Sequence, residues 1–283
     1  MGLDERYVIT SDPSTSEQQS ATGQARTPRR QNGIGLKFGY SVNPKIDLEL
    51  SFLRTDHVFE RAANANLNRN ENTIGATFFY RFLPKTSALL AYSFKRTDFV
   101  DLTPTELNKD NGARNMSIGL RFDPTAKVRG LLKVGYTVKV FDAATQPDGR
   151  PLDDERAISA ATELTWAATE RTQVNLLVSR NIEESSTVGA NSFNATKVEL
   201  GLDQRFVIAA LSASIHGSYE RNDFNGLDRS DAIWRTSATV RYALLRWLSF
   251  SVGYECASKS SDSNDPTVQY RVNRFLFGAT GQL

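Results

Sequence analysis

The residue types that could support acid–base catalysis are few in this chain. Its histidines are His57 and His216, and imidazole is the side chain best suited to proton transfer near neutral pH. Residues that share the parity of His216 are Ser212, Ser214, Ser218 and Glu220. These are the residue types of a hydrolase triad, but no nucleophile motif surrounds them. The sequence has no glycine-rich phosphate loop and no metal-ligand spacing, so we expect no enzyme activity, no metal and no cofactor.

Charged side chains at alternate positions indicate a different kind of chemistry, the electrostatic selection of a solute. Within 126–140, most apolar residues share one parity, and Lys127, Arg129, Lys133 and Lys139 share the other. Successive side chains of a strand point to opposite faces, so this segment predicts one oily face and one cationic face. The oily face requires either a protein core or lipid to cover it.

The same alternation recurs along the chain, with apolar residues at even-numbered positions in nearly all segments and at odd-numbered positions within 211–219. No stretch keeps the 3.6-residue period of an amphipathic helix. No apolar run approaches the roughly 20 residues of a spanning helix. Short connections with turn residues, such as 43–44 and 83–85, alternate with long polar ones. Short turns at one rim and long loops at the other are typical of outer-membrane β-barrels.

We therefore predict one all-β domain over 1–283, a transmembrane antiparallel up-and-down β-barrel of about fourteen strands, with roughly 12 or 16–18 strands as alternatives for a longer native barrel. A first strand is expected within 3–10, a long polar extracellular loop over 11–32, and hairpin repeats over 33–283. An even strand count places both termini in the periplasm. A soluble sandwich or propeller is the alternative, but propeller blades have four short strands per repeat, not two long ones.

The composition limits the partners. A formal net charge of +2 and the lack of a long basic run argue against nucleic acid. The single Cys256 excludes an intramolecular disulfide. The first residues lack the apolar core of a signal peptide, which we interpret as a mature chain rather than a cytoplasmic one.

If the oily parity faces lipid, the opposite parity lines a lumen. Cations and acids concentrate on different strands, which predicts a transverse field that attracts anionic solutes. The basic set comprises Arg81, Arg121, Lys127, Arg129, Lys133, Lys139, Arg235 and Arg241. The acidic set comprises Asp47, Glu49, Glu199 and Asp203. Charge pairing between strands that only stabilises the wall is the alternative.

Aromatic and other apolar residues form two further sets. Residues beside the short turns predict a girdle at the lipid headgroups: Tyr40, Phe82, Phe122, Trp166, Phe206 and Tyr242. Residues that break the polar pattern of the lumen parity are Phe79, Leu89, Leu131, Phe141, Leu177 and Trp247. The second set predicts either a track for sugar rings or an inward plug packed against a folded loop.

The stretch 270–278, Tyr-Arg-Val-Asn-Arg-Phe-Leu-Phe-Gly, together with the hairpin repeat and the Tyr- and Phe-rich strands, resembles the β-barrel porin-2 family over nearly the whole chain. The resemblance implies an outer-membrane location, membrane lipid and the barrel-assembly machinery as partners, and a link to exopolysaccharide gene clusters with periplasmic export partners. A change of parity after Val272 predicts a bulge at Asn273-Arg274.

The expected function is a channel, either for passive passage of small hydrophilic solutes or for export of a polysaccharide. The alternative is a plugged structural barrel whose extracellular loops bind a ligand or a partner.

Overall fold

A computed structural model describes residues 2–10, 29–60, 62–102, 108–125, 127–145, 149, 152–185, 187, 190–208, 210–263 and 268–281. Most of these residues belong to fourteen strands of one sheet, in which each strand pairs with the next one in the chain. The strands are β1 (Gly2–Thr10), β2 (Arg29–Asn43), β3 (Ile46–Phe59), β4 (Arg69–Leu83), β5 (Thr86–Phe99), β6 (Asn111–Thr125), β7 (Val128–Phe141), β8 (Glu155–Ala167), β9 (Thr172–Glu184), β10 (Ser192–Arg205), β11 (Leu211–Asn225), β12 (Ser230–Leu245), β13 (Leu248–Ser261) and β14 (Tyr270–Gly281). A short 3₁₀ helix (Ala62–Leu67) lies between β3 and β4.

The sheet is antiparallel throughout, so the predicted all-β, up-and-down fold is confirmed. From β2 onward the strands have 12 to 16 residues, about twice the length of a common soluble strand. Large apolar side chains such as Met116, Ile118 and Ile158 expose more than half of their surface on one face. This outer face is apolar, whereas buried polar side chains concentrate on the inner face.

No helix in the part of the chain that the structure describes is long and apolar enough to cross a membrane.

The two ends of the strands differ in their connections. At one end, which we call the short-turn rim, Pro44 and Lys45 alone join β2 to β3, and the Lys45 amide donates to Asn43 Oδ1 at 2.9 Å. At the other end, the long-loop rim, β5 joins β6 between Phe99 and Asn111. An asparagine side chain that accepts a hydrogen bond from the backbone amide two residues on stabilises such a tight turn. Because the strands alternate in direction, the short and the long connections lie at opposite rims.

Two details of the sequence prediction are corrected. β2 begins at Arg29, so residues 29–32 are strand and not loop; residues 11–28 lie outside the described part of the chain. The predicted bulge at Asn273-Arg274 is wrong, because β13 and β14 pair in unbroken register. Antiparallel register here sets Tyr254 opposite Phe275, so all of β14 presents odd-numbered residues to the outer face. The change of parity seen in the sequence therefore applies to the whole of β14 through its register with β13, and no bulge is needed.

The edges of the sheet are β1 and β14. Within the described residues, β1 pairs with β2 alone and β14 with β13 alone. An edge strand presents a row of backbone groups that are ready to pair. This property of the sheet matters for its placement in lipid.

Candidate functional site on the inner face

The inner face carries most of the buried polar groups of the described residues. The strand residues of this kind include Thr55, His57, Arg69, Ser87, Thr97, Asn111, Ser117, Thr137, Lys139, Ser159, Glu220, Asn222, Asp231 and Lys259. Polar groups are tolerated at such depth when they pair with one another. The pairing divides the inner face into a charged region near the long-loop rim, a central cavity and a basic region near the short-turn rim.

A buried ion pair near the long-loop rim joins strands that are not neighbours in the sheet. Lys139 Nζ of β7 lies 2.8 Å from Glu184 Oε2 of β9, and only 2% and 3% of these two side chains are exposed. Asn111 Nδ2 donates to Glu184 Oε1 at 3.2 Å. The β8–β9 ladder ends at Ala160–Arg180, although both strands continue beyond it. The end of β9 therefore passes over β8 onto the inner face.

The connection from β9 to β10 is fixed at the same place. Lys109 Nζ, from the β5–β6 connection, donates to the carbonyl oxygens of Ala190 at 2.7 Å and Ser185 at 3.3 Å. Burial lowers the pKa of Lys109 to about 8, against the opposing effect of Glu184. Ala190 also packs in a buried apolar cluster with Phe193 and Phe224. We call Lys109, Asn111, Lys139 and Glu184 the loop clamp, since they hold this connection against the wall.

A second charged group lies on β3, β4 and β5 near the same rim. Its centre is Glu71, which has Arg69 at 2.8 Å, His57 at 3.6 Å and Lys95 at 3.7 Å. One carboxylate among several cations is an arrangement that stabilises a wall and leaves positive charge facing the lumen.

His216 and Glu220, which the sequence offered together for a hydrolase arrangement, have separate partners in the structure. The His216 imidazole Nε2 lies 3.8 Å from Asp203 Oδ1, whereas Glu220 is bound by Arg235 at 2.9 Å. Across the described strands, no group of three or more His, Cys, Asp or Glu is placed to hold a metal ion.

A central cavity of about 490 Å³ lies between these groups and the basic region below. Lys133, Glu71 and Lys95 face it together with serine, threonine and asparagine side chains. Asn115 Nδ2 bridges two of these hydroxyls, donating to Thr137 Oγ1 at 2.8 Å and to Ser159 Oγ. Such a lining suits a hydrated solute.

The third feature lies at the short-turn rim and is called the basic vestibule here. It is a cavity of about 550 Å³ lined by Arg81, Lys85, Arg121 and Arg129 with Ser87, Phe122, Asp123, Leu131, Glu163 and Thr165. Arg81 donates to the Pro44 carbonyl at 2.8 Å and to Asp47 at 3.0 Å. The Arg121 guanidinium lies 3.7 Å from the centroid of the Phe79 ring.

The remaining residues of the predicted basic and acidic sets are distributed around the inner face. Lys127 lies in the turn between β6 and β7, and Arg241 lies on β12 opposite Ser212 and Ser251. Glu49 lies between Gly39 and Thr77 in the register of β2, β3 and β4.

Two acids of the predicted acidic set lie beside cations. Asp47 contacts Arg81 and Arg121, and Glu199 contacts Lys197 at 2.8 Å. Asp47 thus pairs with cations of other strands, as the pairing alternative describes, whereas Lys197 and Glu199 belong to the same strand, β10.

The aromatic residues beside the short turns lie mostly on the outer face. Tyr40, Phe82, Trp166, Phe206 and Tyr242 are all exposed there, as a girdle requires. Phe122 has the same parity but is half-buried, and it also borders the basic vestibule.

The apolar residues of the inner face separate into two groups. Phe79 and Leu89 are buried together, with Leu131 packed against them. Phe141 is buried near the long-loop rim, where Lys139 Nζ lies 4.9 Å from its ring centroid. Trp247 is exposed in the turn between β12 and β13.

Sequence reasoning missed the clamp residues Glu184, Lys109 and Asn111. Glu184 has the parity of the apolar residues of β9. A charge at such a position is the signal that could have revealed that the end of β9 leaves the β8 ladder. The ion pair of Asp231 with Lys259 at 2.8 Å was also missed; both residues are on the lumen parity.

Comparisons with known proteins agree with this architecture. Residues 4–283 match the family model described as Putative beta-barrel porin 2. The solved structure titled "Copper transporter OprC" superposes with a TM-score of 0.55 at 11% identity, over 88% of this chain and 49% of that one. The FrpB iron transporter from Neisseria meningitidis superposes with a TM-score of 0.54 at 10% identity, over 91% and 49%. The chain thus spans about half the length of these two transporters. A search of curated protein sequences found no match.

Proposed function

The chain belongs to the Putative beta-barrel porin 2 family, and from this premise we propose that it forms a passage for small hydrophilic solutes across the outer membrane. The family and the fold are those of outer-membrane porins and transporters rather than of enzymes. The observation that carries the proposal is the division of the sheet into an apolar outer face and a charged inner face that holds cavities. The mechanism is diffusion, with no chemical step.

The alternation within single strands supports this division. On β7, Val134 is exposed on the outer face, and its neighbour Lys133 faces the central cavity. Lipid covers an exposed valine at no cost, whereas a lysine on the lipid side costs about 2–4 kcal/mol at the midplane. The same sequence is therefore stable in a membrane only with this face inward.

The edges of the sheet also require partners in lipid. Unpaired backbone groups cost several kcal/mol each in the hydrocarbon region, so β1 and β14 pair with one another or with further strands of the same barrel. The short-turn rim faces the periplasm with both termini, and the long-loop rim faces outward.

A plugged barrel is a second candidate function, and the loop clamp is the observation that favours it. The clamp holds the β9–β10 connection against the inner face at the long-loop rim, where a closed barrel has its outer mouth. A polysaccharide is the alternative cargo for an open passage and would bring periplasmic export partners with it. The size of the solute that crosses the membrane distinguishes these candidates: a plugged barrel passes no solute, and a polysaccharide passage admits a polymer as well as small solutes.

Planar-bilayer recording tests the proposal. We expect discrete conductance steps from the folded, purified protein. Ala161→Trp, on the inner face beside the central cavity, reduces the step size. The matched control Ile158→Trp, on the outer face of the same strand, leaves it unchanged. Folded protein that gives no steps under any voltage or salt contradicts the passage and favours the plug.

A further inference from the structure

We propose that the basic vestibule is a binding site for an oxyanion, the carboxylate or phosphate group of a solute on its way through the passage. The inference names a substrate class for the proposed passage and rests on that function for its role in transport. Its support comes from the charge, the pre-organisation and the size of the vestibule.

Positive charge is in excess in the vestibule. Four cations line it, against the carboxylates of Asp123 and Glu163. Asp47 lies at its border and is shared by Arg81 at 3.0 Å and Arg121 at 3.7 Å. Even with Asp47 counted, the balance is positive. A cavity with one sign of charge and low-dielectric walls raises the local concentration of the opposite ion.

Within the described part of the chain, two of the vestibule cations have no ion-pair partner and can bind a solute. Among the described residues, no carboxylate lies within ion-pair distance of Lys85 or Arg129. Lys85 stands in the turn between β4 and β5, and Arg129 is the second residue of β7. They border one cavity from parts of the sheet that are not neighbours, the β4–β5 turn and β7, so that a small ion in the cavity has a cation on two sides.

The two other cations are held in fixed orientations. Arg81 is oriented by two hydrogen bonds, one from Nη1 to the Pro44 carbonyl and one from Nη2 to Asp47. Arg121 is stacked on the ring of Phe79, and Phe79 is itself fixed by packing against Leu89. A planar guanidinium matches carboxylate and phosphate oxygens in a bidentate manner, and a fixed one loses little entropy when it binds.

This arrangement explains why apolar residues lie on a charged inner face. Phe79 and Leu89 are almost completely buried, so neither presents a surface on which a sugar ring could stack. Phe79 instead serves as the platform that holds Arg121 beside the vestibule. The apolar cluster is thus part of the construction of the anion site.

The size and the remaining lining also fit a small oxyanion-bearing solute. The cavity of about 550 Å³ falls within the range of small-molecule sites, roughly 300–1,000 Å³. The hydroxyl groups of Ser87 and Thr165 add hydrogen-bond donors. Asp123 and Glu163 oppose an anion, which limits its affinity. A transport site must bind weakly enough to release its solute.

Phosphorus-31 NMR line broadening of inorganic phosphate, with the folded protein in micelles, tests the binding. We expect saturable broadening, and competition by succinate reports whether carboxylates use the same site. The double variant Lys85→Gln and Arg129→Gln weakens phosphate binding about tenfold or more, because it removes two charge-assisted contacts. The matched control, Arg205→Gln with Arg246→Gln, removes the same charge at the same rim, from the end of β10 and the β12–β13 turn outside the vestibule, and changes the affinity less than about twofold.

The outcomes separate the site from the passage. Equal loss of binding in both double variants, or broadening that does not saturate, overturns the site, even if the protein conducts. Saturable binding that only the vestibule variant loses supports the site. If such a protein gives no conductance steps, the site stands as a binding site and the proposed passage fails.

Discussion

The substitution Glu184→Gln tests whether the loop clamp holds the β9–β10 connection against the wall. It replaces the carboxylate that contacts Lys139 by a neutral amide of the same shape. Lys139 then keeps its charge in a site where only 1% of the residue is exposed. We expect the end of β9 and the following connection to leave the inner face, because a buried ammonium without its partner is strongly unfavourable.

The magnitude follows from burial. Removal of one partner of a buried pair costs ~3–5 kcal/mol, and every 1.4 kcal/mol is about a tenfold change in an equilibrium constant. Local opening of the connection should therefore increase by about 100-fold or more. The pair of Lys197 with Glu199 provides the matched control, since its ions are also 2.8 Å apart but 32% and 38% exposed. An exposed pair contributes only ~0–1 kcal/mol, so Glu199→Gln should change exchange by about fivefold at most.

Hydrogen–deuterium exchange of the backbone amides measures this opening. The Ala190 amide donates to the Thr187 carbonyl and the Asn191 amide to the Asn225 carbonyl, each at 3.2 Å, so both are protected while the connection is docked. Faster exchange at these amides in Glu184→Gln, with β12 and β13 unchanged, is the expected result. A combined replacement, Lys139→Met with Glu184→Leu, should restore protection, because a packed apolar pair removes the buried charge.

Equal exchange in Glu184→Gln and Glu199→Gln would refute the reasoning, since it would mean that burial does not set the strength of these pairs. Faster exchange spread over the whole sheet would show global destabilisation instead of release of one connection.

Three further predictions concern the free energy of unfolding in urea, followed by tryptophan fluorescence in micelles. Leu89→Ala lowers it by ~2–5 kcal/mol because Leu89 is buried on the inner face, and the outer-face control Leu90→Ala lowers it less; an equal loss would contradict the assignment of faces. Asp231→Asn, which removes the fully buried partner of Lys259, costs ~3–5 kcal/mol, and a loss below about 1 kcal/mol would contradict the pairing. Burial lowers the pKa of Lys109 from its ordinary 10.5 to about 8 in the folded chain, so the native state releases this proton first. Stability should therefore rise from pH 8 towards 10.5, and Lys109→Met should lack that rise; parallel pH profiles would contradict the depressed pKa.

The alternation of side chains was sufficient to predict the strands and their two faces. Met116 and Ile118 are separated by one residue, Ser117, and the structure exposes the first two and buries the third. A period of two is a local property of the chain, so it can be read without knowledge of the fold. The short-turn residues at 43–44 and 83–85 are equally local signals.

The parts that could not be predicted depend on contacts between strands that are distant in sequence. Glu184 reaches Lys139 only because β9 leaves the β8 ladder after Arg180. Phe79 and Arg121 lie on β4 and β6, with β5 between them. Leu89 of β5 packs against Phe79, and Arg121 lies over the Phe79 ring. Neither spacing nor composition encodes such a geometry.

The predicted separation of charge shows the same limit. Asp47 belongs to β3, while its cationic neighbours Arg81 and Arg121 lie on β4 and β6. A count of charges along each strand gave an acidic and a basic region, but side chains from different strands meet above the sheet. The bulge predicted at Asn273-Arg274 failed for a related reason, since register is a property of the pair and not of one strand.

The most direct test of the central claim, a water-filled passage inside and lipid outside, is thiol labelling of adjacent residues on β7. In a Cys256→Ser background, which removes the free cysteine, Lys133→Cys and Val134→Cys are reconstituted in liposomes. A charged, membrane-impermeant thiol reagent should label Lys133→Cys, whose side chain faces the central cavity, and leave Val134→Cys unlabelled. Equal labelling of both, or labelling of Val134→Cys alone, would contradict the account.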